Sequence, residues 1–172
     1  MSEAISPKKD LYDQEAISKL KEIALAAKDC MFTTSIQEPL PDSRPMVLQD
    51  VDDSGNLYFI SSTTSKKNED ILKNNKVQLY FINSSKCEFL YILGIAEIIT
   101  DKTIIEKYWT NFANAWFDGK DDPTVSIIKV NPYDCYYYET KDGKLIAIAK
   151  MLLVAATGIK LEDGGVEGNL DI

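Results

Sequence analysis

Hydrophobic residues recur at steps of three and four in several stretches of the chain, which is the spacing of an amphipathic helix. Residues 13–28 form the first such stretch, in which Leu20 and Ile23 share one face and Asp13 is a candidate N-cap. The same spacing predicts a second helix over residues 101–115. Its expected buried side consists of Ile104, Ile105, Tyr108, Trp109 and Phe112.

Short runs of β-branched, aromatic and other apolar residues fill most of the remaining sequence and are separated by turn signals. These runs predict strands at residues 30–36, 44–51, 57–61, 77–82, 87–100, 125–130 and 133–139. The turn at residues 52–56 makes the strands on either side of it antiparallel neighbours. Gly94 interrupts the longest run, which favours a bulge, a barrel corner or a close approach of another group. Six or seven strands with flanking helices predict a small antiparallel β-barrel.

The C-terminal part of the chain changes composition twice. An unbroken alanine-rich stretch from Leu145 to Thr157 predicts a helix, for which Gly158 is a suitable C′ residue. The residues from Glu162 onward are acidic and glycine-rich, which indicates a mobile tail. At 172 residues the chain is expected to fold as one domain. We assign this domain to residues 12–160 and the tail to residues 161–172.

The stretch from Leu57 to Phe81 carries the candidate chemistry, because it predicts a strand, a hydroxyl-rich turn, a short helix and another strand. The turn holds five consecutive hydroxyl residues, Ser61, Ser62, Thr63, Thr64 and Ser65. Lys66 and Lys67 follow at the start of the helix, whose Ile71 and Leu72 are expected to point inward. Hydroxyl groups, the N–H groups of a helix N-terminus and a lysine can together bind a phosphate. The alternative is an N-capping turn followed by solvated lysines.

Arg44, the only arginine in the chain, opens the strand that precedes this stretch. It is either solvated at the strand end or directed at the same phosphate as Ser65 and Lys67. The short turn between the two strands would bring these groups close together.

Composition limits the remaining functions. The net charge of −8 argues against a general affinity for nucleic acid or an anionic membrane. The chain has no histidine, which excludes Ser-His-Asp and Cys-His sites and any His-ligated metal, and no metal site is expected. Cys30, Cys87 and Cys135 are expected to be buried free thiols. With a polar N-terminus unlike a signal peptide, they predict a cytoplasmic protein.

Several motifs, in order and spacing, resemble the pyridoxamine 5′-phosphate oxidase-like, flavin-binding split β-barrels, and within them the general stress protein 26 group. The matching segments are Ser43–Met46, Ser65–Lys67, Asn75–Val77, Gly94 with Asp101, Trp116–Gly119 before Asp122–Pro123, Pro132–Glu139 and Gly168–Leu170. The resemblance covers residues 12–172.

The resemblance implies a homodimer with two FMN molecules at the subunit interface. Carried over to this sequence, Arg44, Ser65 and Lys67 would hold the FMN phosphate. The backbone of Pro45, Met46 and Val47 would follow the isoalloxazine edge. The ribityl chain would lie near Ser61, Ser62 and Thr63.

Two departures from the family pattern argue against pyridoxamine phosphate oxidation. Gln49 replaces a lysine that helps to bind the substrate phosphate in the true oxidases. The chain also lacks their C-terminal arginine–histidine pair. Tyr138 stands where the group usually has tryptophan.

Three functions remain open on the sequence alone. The first is an FMN-dependent oxidoreductase that acts on an unknown small partner, and its catalytic residues are unknown. The second is a non-catalytic module that binds or senses a flavin or a related phosphate-bearing ligand. The third is a barrel whose only function is protein–protein contact.

Two further expectations concern the assembly. The predicted strand 87–100 is apolar on both alternating sets of residues, including Phe89, Leu90 and Tyr91, so a second copy is expected to cover one face. Trp116 or Phe117 is expected to lie near the flavin, either as part of the site of the other subunit or, alternatively, as ordinary core.

Overall fold

The computed structural model describes residues 7–140, 143–158 and 164–172. Within them, four α-helices accompany eight strands. The strands are Leu11–Tyr12 (β1), Asp29–Thr34 (β2), Asp42–Val51 (β3), Leu57–Ser62 (β4), Lys76–Asn83 (β5), Glu88–Ile99 (β6), Val125–Thr140 (β7) and Gly165–Asp171 (β8). The helices are Asp13–Ala27 (α1), Lys66–Lys73 (α2), Lys102–Tyr108 (α3) and Gly143–Thr157 (α4), with a 3₁₀ turn at Asn111–Ala115.

Six strands close into an antiparallel barrel, which confirms the expected fold. They pair in the order β7, β4, β3, β2, β5 and β6, and β6 pairs back onto β7. Strand β8 extends the sheet along the second half of β7, and β1 pairs parallel to β8. No helix within the described residues is long and apolar enough to cross a membrane.

The barrel interior is filled by the inward-facing residues of the strands and closed by α1. Phe32 and Phe59 meet edge to face inside it, with ring centroids 5.3 Å apart. Leu20 and Ile23, which the sequence places on one face of the first helix, are fully buried. The amphipathic pattern of α1 therefore predicts its packing correctly, whereas the helix starts at Asp13 and Tyr12 is its N-cap.

A bulge at Gly94 lets the long strands β6 and β7 stay paired along their whole length. The register shifts between Leu93 and Gly94, opposite Pro132. A Cβ on Gly94 would overlap Val130 Cγ1, so the backbone approaches too closely for another residue. The prediction of two strands interrupted at residues 131–132 was wrong, because this bulge absorbs the irregularity and β7 runs continuously.

Other expectations were corrected by tertiary packing. The helix expected over residues 101–115 ends at Tyr108, and Phe112 in the following 3₁₀ turn is 61% exposed. Leu72 on α2 is also exposed, while Ile71 is buried as expected. Cys87 is only partly buried, in the turn before β6, although all three cysteines are free.

The C-terminal segment also differs from the prediction, because residues that were expected to form a mobile tail form β8. Thr140 pairs with Gly165 and Cys135 with Leu170. The predicted alanine-rich helix is present as α4, and Gly158 follows it at a φ of 68°. The start of the expected tail, residues 161–163, lies outside the described residues.

Candidate functional site

A gap opens in the sheet beside the first half of β3. Residues Asp42–Val47 pair with β2 on one side. On the other side, β3 pairs with β4 only from Leu48 onward, and residues 60–62 of β4 pair with β7 but not with β3. The start of α2 lies across this gap, since Lys66 Nζ is 3.6 Å from Asp42 Oδ2.

Within the described parts of the chain, residues 42–47 of β3 have no strand partner on the side that faces the gap. Leu48 N–H donates to the Lys28 carbonyl at 2.8 Å, so by the alternation of an antiparallel ladder Met46 directs its backbone to β2. Pro45 and Val47 direct theirs to the gap, and Pro45 loses no ladder bond by lacking an N–H. The Gln49 side chain donates to the Val47 carbonyl at 3.0 Å. This open edge is the segment predicted to follow the isoalloxazine ring.

Arg44 is held in place at the gap by three neighbours. Its Nη1 donates to Thr34 Oγ1 at 2.8 Å, and its Nη2 forms an ion pair with Asp42 at 2.8 Å. Asp70 Oδ2 lies 4.0 Å away. The guanidinium is therefore rigidly positioned and is not simply solvated at a strand end.

Asp70 organises the cations around it. It is buried, and it accepts hydrogen bonds from Thr34 at 2.8 Å and from Lys66 at 2.9 Å. Burial alone would raise the pKa of Asp70, but the hydrogen bonds from Lys66 and Thr34 and the charges of Lys66 and Arg44 lower it. Asp70 is thus charged and compensates Lys66.

Lys67 is the uncompensated cation of this cluster. It is half-buried, and no side chain in the described parts of the chain forms an ion pair or hydrogen bond with its ammonium group. Burial lowers the pKa of Lys67, and the nearby charge of Arg44 lowers it further. The three cations Arg44, Lys66 and Lys67 face two carboxylates, those of Asp42 and Asp70. A partly desolvated cation beside a second cation is the environment that a bound anion stabilises.

The hydroxyl turn divides into structural and accessible parts. Ser61 is buried and donates to Asn68 Oδ1 at 2.7 Å, and Asn68 Nδ2 donates to Ser126 Oγ at 3.0 Å. This network fastens the start of α2 to β4 and β7. Ser65 donates to the Ser62 carbonyl at 2.7 Å. These two serines therefore position the turn, and their contact with a ligand stays a prediction.

The remaining hydroxyl groups and the helix start lie at the surface of the gap. Ser62 and Thr64 bond to each other at 2.9 Å, and Thr63 is partly exposed. Within the described residues, no partner is found for the backbone N–H groups of Lys66 and Lys67, the first two of α2. These groups add donors and a positive dipole end beside the Lys67 ammonium.

The segment with Trp116 is attached at both ends to this site. Thr110 Oγ1 donates to Gln49 Oε1 on β3 at 3.4 Å, and Thr63 N–H donates to the Thr124 carbonyl at 2.8 Å. Trp116 is 65% exposed, whereas Phe117 packs into the small core beside α3. Trp116 is therefore the more accessible residue of the predicted pair.

Sequence reasoning missed the acidic members of the site. Asp42 lies two residues before Arg44 on the same strand face, and Asp70 lies four residues after Lys66 on one helix face. The second spacing is a recognisable signal for an ion pair. Thr34 and Gln49 carry no signal of this kind, because their contacts depend on how the strands pair.

Comparison with known proteins gives a consistent family assignment. Residues 15–162 match the family described as pyridoxamine 5′-phosphate oxidase like. Protein bli-3 of Neurospora crassa is 29% identical over 136 residues, which are 70% of this chain and 65% of that protein, so the match spans just under two thirds of that relative. General stress protein 26 of Bacillus subtilis is 30% identical over 105 residues, which are 58% of this chain and 72% of that protein.

Solved structures share the fold. General stress protein 26 from Bacillus anthracis str. Sterne is 27% identical with a TM-score of 0.62, over 76% of this chain and 95% of that chain. A pyridoxamine 5′-phosphate oxidase-related, FMN binding protein from Nostoc punctiforme is 14% identical with a TM-score of 0.51, over 73% and 80% of the two chains. By its sequence and its split barrel, the chain belongs to the pyridoxamine 5′-phosphate oxidase-like family.

Proposed function

We propose that this protein binds FMN at the gap between β3 and α2 and acts as a flavin-dependent oxidoreductase on a small partner that is still to be identified. The observation that carries the proposal is the half-buried Lys67, which faces Arg44 without a carboxylate of its own. Membership of the family and the FMN-binding description of the Nostoc structure support FMN as the ligand whose phosphate occupies this site.

Each side chain at the gap has a distinct task in this proposal. The phosphate is held by Lys67, by the fixed guanidinium of Arg44 and by the first N–H groups of α2. Thr63 is close enough to the helix start to assist, and the open edge of Pro45 and Val47 offers backbone groups to the ring. When bound, the flavin supplies the redox chemistry, and the protein supplies position and electrostatics.

The proposed assembly is a homodimer, and the outward side of the barrel supports it. Along β6, Leu90 and Ile92 are buried while Phe89 is 44% exposed, so the outward set of this strand is also apolar. We call this surface the outer aromatic face, and its members are Met31, Tyr80, Ile82, Phe89, Tyr136 and Tyr138.

The outer aromatic face is continuous with the open edge of β3 that is proposed to contact the flavin. Cross-strand neighbours run in one row from Pro45 through Met31, Tyr80 and Tyr91 to Tyr136. A second copy that covers this face would therefore also approach the open edge of β3.

The free thiols are consistent with the proposed cytoplasmic location.

Purified protein tests the function directly. We expect a yellow protein, or an apoprotein that binds FMN much more tightly than riboflavin, which lacks the phosphate. Anaerobic reduction of the bound flavin by NADH or NADPH supports the oxidoreductase. A flavin that binds but is reduced by neither nicotinamide cofactor favours the non-catalytic binding module, and a protein that binds no flavin refutes both.

A further inference from the structure

A single protomer leaves two apolar surfaces uncovered. The first is the outer aromatic face, which contains a groove of about 590 Å³ lined mainly by aromatic residues such as Tyr80, Phe89 and Tyr138. The second is helix α4, on which Ile148, Leu152 and Leu153 are 44%, 66% and 54% exposed. Surfaces of this kind are seldom left open to water and mark interaction sites.

Helix α4 is built as an arm that leaves the barrel and returns to the same place. Thr140 at the end of β7 pairs with Gly165 at the start of β8, so the strands that precede and follow α4 lie side by side in the sheet. Its main neighbour is β7. Tyr138, two residues before this point, belongs to the outer aromatic face. The arm therefore begins at the rim of that face.

The dimensions of the arm and the face correspond. The helix has 15 residues and is about 22 Å long at about 1.5 Å per residue. The face spans the four strands β2, β5, β6 and β7, and at about 4.8 Å between strands it is about 15 Å wide. The helix is therefore long enough to cross every strand of the face.

The chemistry of the two surfaces also corresponds. The large exposed side chains of α4 are aliphatic, and the exposed Ala149, Ala155 and Ala156 are small enough to let the helix approach a sheet closely. The groove is aromatic, with Asp134 as its single acidic lining residue. Ile148 and Leu152 are four residues apart, so they form a stripe that can enter a groove.

We infer that α4 of each protomer packs in trans on the outer aromatic face of a second copy, so that two helices are exchanged in the dimer. This inference rests on the proposed homodimer and names the element that covers its open face. One chain supplies both the helix and the face, and a two-fold dimer covers each of them twice.

Complementation between two variants tests the exchange. The helix variant is Leu152→Glu with Leu153→Glu, and the face variant is Ile82→Glu with Phe89→Glu. Both copies of the helix–face contact are lost in each homodimer, so each variant should weaken dimerisation at least about 1,000-fold. An equimolar mixture should recover a heterodimer, because one intact helix then meets one intact face.

Sedimentation velocity of differently tagged chains measures these states. Leu72→Glu is the matched control, because it adds the same charge to an exposed leucine on α2 and should leave the dimer unchanged. Near-ultraviolet circular dichroism confirms the fold of each variant, and glutamine at the same two positions replaces glutamate in any variant that does not fold.

Three results would overturn the inference in distinguishable ways. A parent protein that is monomeric removes both the exchange and the proposed homodimer. A helix variant that dimerises like the parent removes the exchange alone. Two monomeric variants that do not recover on mixing show that the dimer needs the helix but that the helix does not meet the face in trans, which also removes the exchange.

Discussion

Replacement of Lys67 by alanine is the most direct test of the anion site. The change removes a half-buried ammonium group that has no carboxylate partner in the described parts of the chain. A hydrogen bond to a charged group contributes about 1.5–3 kcal/mol, which corresponds to a loss of about 10- to 150-fold in FMN affinity. Riboflavin affinity should stay the same, because riboflavin has no phosphate for Lys67 to contact.

The same variant should not lose stability without ligand. Burial and Arg44 lower the pKa of Lys67, which means that the folded apoprotein disfavours the charged form of this side chain. Its charge therefore opposes folding at neutral pH, and this opposition fades as pH rises through the lowered pKa. Lys67→Ala should consequently keep or raise the melting temperature of the apoprotein while it loses FMN affinity.

The pH dependence of binding gives an independent measurement. FMN affinity of the parent should fall as Lys67 deprotonates, beginning below the usual lysine pKa of about 10.4. The alanine variant should lack this phase. Lys66→Ala is the matched control, since Lys66 is paired with Asp70 and exposed, and it should change FMN affinity little.

Fluorescence titration with FMN and riboflavin provides the affinities. Parental FMN affinity in Lys67→Ala would refute the phosphate site at this gap. An equal loss for FMN and riboflavin would show that the variant damages the ring site, which would also contradict the assigned role.

Three further predictions address the surroundings of the site. Asp70→Asn should destabilise the protein by about 1–3 kcal/mol at pH 7 in urea unfolding, because buried hydrogen bonds to a charge are lost. The pKa of Asp70 is lower in the folded protein than in the unfolded chain, so its carboxylate adds to the free energy of unfolding above the unfolded pKa of about 3.9. This contribution disappears as pH falls through the folded pKa. The stability difference between parent and variant should therefore shrink in acid. Gly94→Ala should cost about 1–3 kcal/mol by overlap with Val130, and an unchanged urea midpoint would contradict the packing at the bulge. In Trp109→Phe, which retains only Trp116, FMN binding should quench tryptophan fluorescence, and unchanged emission would exclude Trp116 from the flavin's vicinity.

The barrel could be predicted because its strands carry local signals. Turn chemistry at residues 52–56 and glycine at position 94 each specify geometry over a few residues. Strand β8 could not be predicted in this way, since its acidic and glycine-rich sequence becomes a strand only by pairing with β7. Its strand conformation depends on tertiary pairing with β7, which the local sequence of β8 does not reveal.

The candidate site shows the same division. Arg44 is predicted because an arginine that opens an apolar strand is unusual, and Lys67 because it follows a hydroxyl-rich turn at a helix start. The five hydroxyl residues, however, look alike in sequence, and only the fold assigns Ser61 to a buried network with Asn68 and leaves Thr63 at the surface. Compensation of Arg44 by Asp42 depends on side-chain direction within one strand, which composition does not reveal.

Closure of the barrel between β4 and β7 has a consequence for ligand affinity. Leu57 pairs with Val130, so this ladder joins segments that are far apart in sequence and encloses α2, β5 and β6 in one loop. Forming it carries a large entropic cost that is met once, during folding. Asn68 in the first turn of α2 bonds to Ser61 and Ser126 of this ladder, so the backbone at Lys67 is fixed before an anion binds and only the side chain remains to be ordered. Mutations that disrupt the β4–β7 pairing should therefore lower the affinity for the anion, even though the mutated residues do not contact the ligand.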